Sequence, residues 1–144
     1  MTDPVPVLQT ALAAEHAVIW GYAVVGALVS TDLRIDVTQD DTSHRARRDA
    51  TVTLIRRYGG DPAAPAASYQ LPFQVTDQAT ALRLAVQLED GAAAAWRYVV
   101  ASTDLIPVRR SAVLALTEAA VRGTRWRRLV SPTDPTAAFP GQPG

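Results

Sequence analysis

The chain contains no cysteine, so disulfides, thiolate metal sites and a thiol nucleophile are all excluded, and a reducing compartment suits it. Lysine is absent too. All fourteen basic residues are arginines, matched by fourteen acids, so global charge draws the chain toward neither nucleic acid nor an anionic membrane. The all-arginine usage reads as a mark of high-GC coding rather than of arginine-specific recognition. Long apolar runs are missing: the longest uncharged stretch, Ala17 to Thr31, falls short of the roughly 20 residues that a bilayer span needs. It reads as a buried helix. At the start, Asp3 and two prolines stand where a signal peptide would carry a basic and then an apolar segment. A soluble, cytoplasmic protein is the expectation. Strand signals are also scarce, the one extended candidate being Tyr69 to Val75, and neither a phosphate loop nor a nucleophile elbow is present.

What is present is helical periodicity in four segments of similar length. The first runs from about Pro4 to Val29, capped by Asp3, with Leu8, Leu12, Ile19, Tyr22, Gly26 and Val29 on its apolar face. The second opens at Ser30, Thr31 or Asp32 and closes at Tyr58, before Gly59, Gly60, Asp61 and Pro62. The third extends from Thr76 or Asp77 to Ser102, with Leu82, Ala85, Val86, Trp96, Val99 and Val100 inward. The fourth starts near Asp104, takes Pro107 in its first turn, and continues through Val108, Leu114 and Val121 to Leu129.

Connection lengths decide the topology. Helices one to two and three to four are joined tightly, whereas Gly59 to Val75 is far longer than the two to eight residues, roughly, that neighbouring antiparallel helices need. Each helix is roughly 38 Å long at 1.5 Å per residue, and an extended linker of this size reaches along it. Two hairpins joined by one long crossover is the ferritin-like form of the all-α four-helix bundle. The expected division is a bundle over residues 1–130 and a Pro-rich tail over residues 131–144, with Phe139 able to pin the tail.

The only three glutamates, Glu15, Glu89 and Glu118, fall near the middle of helices one, three and four, and His44 falls near the middle of helix two. All four therefore lie at one level. Glu15 sits between Leu12 and Ile19, Glu89 between Ala85 and Trp96, and Glu118 between Leu114 and Val121, so each belongs to an inward stripe. Helix two is polar at the same level, through Asp40, Asp41, His44, Arg47 and Arg48. Buried carboxylates need a partner, a proton or a metal. Di-iron and di-manganese carboxylate bundles supply single glutamates from two helices and Glu-x-x-His from two others. Here Glu15 and Glu89 match the single glutamates, Asp41-x-x-His44 the first pair, and Glu118 the start of the second. Val121 stands where the second histidine would be and cannot bind metal. The set Glu15, Asp41, His44, Glu89 and Glu118 is thus either a metal site for iron or manganese or a closed, metal-free network. In the network, His44 and one of Arg47, Arg48 or Arg122 neutralise the glutamates. The missing histidine favours the network, with no cofactor.

His16 lies about a hundred degrees from Glu15 around the helix, at an interface or the surface. Arg122, Arg125, Arg127 and Arg128 at the end of helix four, and the arginines of helix two, are read as solvated faces, so no nucleic acid is expected. Val18, Trp20, Val24, Val25 and Leu28 widen the apolar surface of helix one beyond one core contact. They need a homodimer partner or the crossover to cover them.

The segments Ala13-Ala14-Glu15-His16-Ala17 with Tyr22, His44-Arg45-Ala46-Arg47-Arg48-Asp49, Leu71-Pro72-Phe73, Leu88-Glu89-Asp90 and Phe139-Pro140-Gly141 together resemble an actinobacterial family of ferritin-like domain proteins without an assigned function. The resemblance spans nearly the whole chain. It implies the ferritin-like fold and a bacterial cytosolic setting, and supplies no activity. The expected function is that of a non-catalytic bundle with a degenerate mid-bundle site, acting through protein contacts, with a metal-dependent oxidase or ferroxidase as the alternative.

Overall fold

The computed structural model describes residues 3–142 and contains four long helices. Helix α1 is Val5–Leu28, α2 is Thr31–Arg57, α3 is Gln78–Ser102 and α4 is Ile106–Val130. Among the described residues there is no strand. Each boundary has a local cause. The Asp3 carboxylate accepts from the Val5 amide at 2.9 Å, beside Pro4 and Pro6, whose missing N–H groups are not needed in a first turn. Helix α2 closes in a Schellman motif: the Gly59 amide bonds Arg56 O and the Gly60 amide bonds Ile55 O at 2.9 Å, with Gly59 in the left-handed region at φ 81°. Asp77 and Thr80 form a capping box at the start of α3.

The linker between α2 and α3 runs the length of the bundle alongside α1. A Cβ on Gly60 would lie 2.6 Å from Val5, so the linker begins against the start of α1. Gln9 then bonds the backbone of Asp61 and Ala63, His16 bonds Ala63 O at 3.0 Å, and Trp20 packs on Tyr69. Leu71, Phe73 and Val75 join the apolar cluster of Val24 and Leu28. Finally the Gln78 side chain accepts from the amide of Ser30, just past the end of α1, at 2.6 Å. Helices α2 and α3 are consequently parallel, and the expected crossover is present.

Helix α1 packs against α2 and α3, and α3 against α4, while α2 and α4 meet only sparsely. By length and composition α1 could cross a bilayer, but in the bundle its Leu8, Leu12, Val18, Tyr22 and Val25 are buried against the other helices. The crossover and the other helices cover the apolar surface that sequence reasoning left over on α1; Val18 and Val25 are core residues.

The interior is divided. One apolar cluster gathers Leu8, Leu12, Ile55, Trp96, Val99 and Val108, the other Val18, Tyr22, Val25, Val37, Leu84 and Trp126. Between them lies a polar layer carried by α1, α2, α3 and α4.

Candidate functional site: a buried cluster of carboxylates and cations

Glu15, His44 and Glu89 meet at the centre of the bundle, and all three are inaccessible to solvent or nearly so. His44 is the hub: its Nδ1 lies 2.6 Å from Glu15 Oε2 and its Nε2 lies 2.8 Å from Glu89 Oε1. A carboxylate accepts and does not donate, so both ring nitrogens carry protons and the ring is an imidazolium. Burial alone pushes the ring toward its neutral form, but the hydrogen bonds and charges of Glu15 and Glu89 outweigh it and raise its pKa to about 9.

The remaining lone pairs of the glutamates are taken as well. Trp96 Nε1 donates to Glu15 Oε1 at 2.7 Å. Glu89 accepts from the Tyr22 hydroxyl at 2.5 Å and from Arg122 Nε, which lies 3.1 Å from each oxygen. Burial works to raise the Glu89 carboxyl, yet His44 and Arg122 hold it below the usual carboxylate range. Tyr22 is pushed well above its ordinary value, first by burial and then by Glu89. Arg122 is held more firmly protonated than usual, because Glu89 overcomes the effect of burial.

Asp40 extends the layer toward α4. Its Oδ1 accepts from Arg125 Nη2 at 2.6 Å and its Oδ2 from Trp126 Nε1 at 2.9 Å. Burial raises its carboxyl despite Arg125. Three carboxylates (Glu15, Glu89 and Asp40) thus face three cations (His44, Arg122 and Arg125), and the layer carries no net charge.

Two expected members stand elsewhere. Glu118 does not join the cluster; its side chain is 49% exposed and bonds Arg47 Nη2 at 2.8 Å. The inward stripe of α4 is Val108, Ala112, Ala115, Ala119, Arg122 and Trp126, which places Glu118, Leu114 and Val121 on the outside. Asp41 is also outside, paired with Arg45 one turn further along α2 at 2.8 Å; its neighbour Asp40, one turn before His44, is the inward acid. Of the cations weighed from sequence, Arg122 is the one on the buried glutamates, while Arg47 holds the outer Glu118 and Arg48 pairs with Asp49. The apolar stripes of helices one and three include Tyr22 and Trp96, and Trp126 falls within helix four, but periodicity does not mark them as hydrogen-bond donors to the acids. The signal available was their spacing from the glutamates: Tyr22 is seven residues after Glu15, Trp96 is seven after Glu89, and Trp126 is four after Arg122.

A carboxylate-bridged iron or manganese pair needs bare imidazole nitrogens and carboxylate oxygens open to one shared point. These residues do not fit that requirement. His44 occupies the space between the two glutamates with both nitrogens protonated, and Arg122 covers the free side of Glu89. Among the described residues, no three Asp, Glu or His side chains are disposed to hold a metal ion. At the sparse α2 and α4 contact a groove lined by Ser43, Arg47, Glu118 and Arg122 reaches the outer side of Arg122.

Residues 7–144 match the family described as "Domain of unknown function (DUF4439)". The chain belongs to that family. Among solved structures it is similar to the crystal structure of a conserved hypothetical protein from Mycobacterium tuberculosis. The identity is 42% and the TM-score 0.85, covering 88% of this chain and 96% of that one. It is also similar in fold to a Bacillus anthracis structure described as ferritin like, diiron-carboxylate proteins. There the identity is 18% and the TM-score 0.75, covering 91% of this chain and all of that one. None of the curated proteins compared with the chain matches it. The family and its solved neighbours make this a ferritin-like four-helix bundle and assign no reaction.

Proposed function

We propose that this family member is a metal-free, non-catalytic ferritin-like bundle in which a buried charge network stands where metal-binding relatives of the fold hold their ions. The observation that carries the reading is the double engagement of His44, with one ring nitrogen on Glu15 and the other on Glu89, completed by Arg122 on Glu89. A site so arranged has its charge already balanced and its donors already used, so it offers a divalent ion neither net negative charge nor free lone pairs. It is also unsuited to proton transfer with a substrate at its centre, since Glu15 and Glu89 are shut off from solvent. The bundle then acts through its surfaces, as an actinobacterial cytosolic protein that forms a homodimer and engages neither nucleic acid nor membrane. The mycobacterial relative supports the actinobacterial placement. The pairing of Arg45, Arg47, Arg48, Arg122, Arg125 and Arg127 with acids of the same chain supports the absence of a nucleic-acid partner.

Metal-dependent oxidase or ferroxidase chemistry is the competing reading, and it draws on the fold shared with the Bacillus anthracis structure rather than on the donor set. Metal analysis of protein purified without chelator, from cells supplied with iron and manganese, separates the two. The proposal expects substoichiometric metal and no rise in Tm on adding either ion. Stoichiometric iron or manganese that disappears in Glu15→Gln or Glu89→Gln protein would overturn it.

A further inference from the structure

The outer side of α4 carries a second feature that the buried network does not use. The tail turns back over the bundle at Phe139-Pro140-Gly141-Gln142, where the Gln142 amide bonds Phe139 O at 3.1 Å and Gly141 has φ 79°. Proline at the second position and a left-handed glycine at the third are the marks of a type II turn. A Cβ on Gly141 would sit 2.6 Å from the carbonyl oxygen of Ala93. The tail is therefore seated directly on the alanine run of α3, where only glycine allows the approach. This seating leaves Phe139 standing free, 68% exposed, above a groove of about 660 Å³.

The groove is amphipathic in a defined way. Its walls are the apolar Leu116, Ala120 and Val121 of α4 with Phe139 and Pro140 of the tail, and its rim carries Arg97, Arg125 and Arg128 with no acidic residue among the lining groups. Arg97 and Arg128 make no salt bridge among the described residues, whereas Arg125 is shared with Asp40 of the buried network. We propose that this groove binds a small amphipathic anion, an apolar acyl or aryl body ending in a carboxylate or sulfonate. The volume lies inside the range of about 300 to 1,000 Å³ typical of small-molecule sites. Apolar walls would take the body, and the unpaired guanidinium groups of Arg97 and Arg128 would take the acid by charge-assisted hydrogen bonds. A second copy of the chain is a poor occupant, because a two-fold contact centred here would set the three arginines against their own symmetry mates. The inference goes beyond the reading of the buried site and stands or falls separately from it.

Fluorescence titration of the full chain with anilinonaphthalene sulfonate tests it, alongside phenylnaphthylamine, the same aromatic body without the sulfonate. Saturable binding at one site per chain is expected, with the neutral dye about tenfold weaker. The Arg97→Ala/Arg128→Ala variant should lose about tenfold in affinity for the anionic dye and none for the neutral one, with its helical circular dichroism and melting unchanged. Phe139→Ala, which removes the free wall, should weaken both dyes. No saturable binding, equal affinity for the two dyes, or unaltered binding by the double arginine variant would each overturn the proposal. So would a dimer whose dye binding grows on dilution, which would give the groove to a second copy.

Discussion

Glu89 accepts from His44, Tyr22 and Arg122, one donor from each of the other three helices. Its burial would cost several kcal/mol if these donors were removed one by one, because the carboxylate has no solvent to turn to. Replacing Arg122 with alanine should therefore destabilise the fold by about 3 to 5 kcal/mol in urea unfolding. Replacing exposed Arg34, which makes no salt bridge among the described residues, should change stability by less than about 0.5 kcal/mol. The pH dependence follows from the two central groups. His44 has a folded pKa of about 9 against an ordinary 6.5, so its stabilisation is complete below pH 6.5 and is lost as pH rises through about 9, a loss of about 3 kcal/mol. Glu89 is lowered from 4.5, so its contribution is present above that value and is lost as pH falls through its lower folded value. Asp40 is raised from 3.8 and opposes Glu89 on the acid side, regaining a little stability as it protonates. Tm should thus hold a plateau between about pH 5 and pH 6.5 and decline steadily from there to about pH 9. A Tm that keeps rising from pH 7 to pH 10 would contradict the charged state of His44.

At the scale of elements, α2 and α3 were largely legible because their buried stripes are either bulky or interrupted by rare acids, and the Gly59 to Val75 linker had the length of a crossover. Helix α1 was legible except at Val18 and Val25, set off its inward stripe in sequence but buried in the core. Helix α4 was not. Its core stripe is built of Ala112, Ala115 and Ala119 ending in Arg122 and Trp126, while Leu114 and Val121 are 55% and 56% exposed. Hydropathy weights the larger side chains and so turns the helix the wrong way. Close packing selects the small ones: Gly123 lies against Glu89 with only 3.4 Å for a Cβ, so α4 approaches α3 where side chains are smallest. That rotation is why Glu118 falls outside and Arg122 inside. On helix two, the Glu-x-x-His template favoured Asp41 over Asp40, although both lie within one turn of His44. Buried Val37, Asp40, His44, Thr51 and Ile55 make one continuous face that only Asp40 joins. The start of α3 gives a test at this scale. Asp77 accepts from the Thr80 amide at 2.8 Å, which holds its carboxyl below the ordinary value. Asp77→Ala should lower the midpoint of urea unfolding, and an unchanged midpoint would show that the cap does not stabilise α3.

For the whole molecule, covering α1 with the crossover shifts the question of self-association to α4, whose first half exposes Ile106, Val113 and Leu114 in one stripe. If the homodimer forms through this stripe, sedimentation at micromolar concentration should show a dimer, and Leu114→Glu should give a folded monomer. A monomeric parent protein would refute it. The fold places one polar layer between two apolar clusters, and the histidine at its centre holds that layer closed to metal only while it is an imidazolium. Nitrogen NMR of the His44 imidazole between pH 5 and pH 10 reads that state directly. Both ring nitrogens should remain protonated and protected at neutral pH, giving up a proton only near pH 9. A neutral ring at pH 7, with one bare nitrogen available to a metal ion, would contradict it.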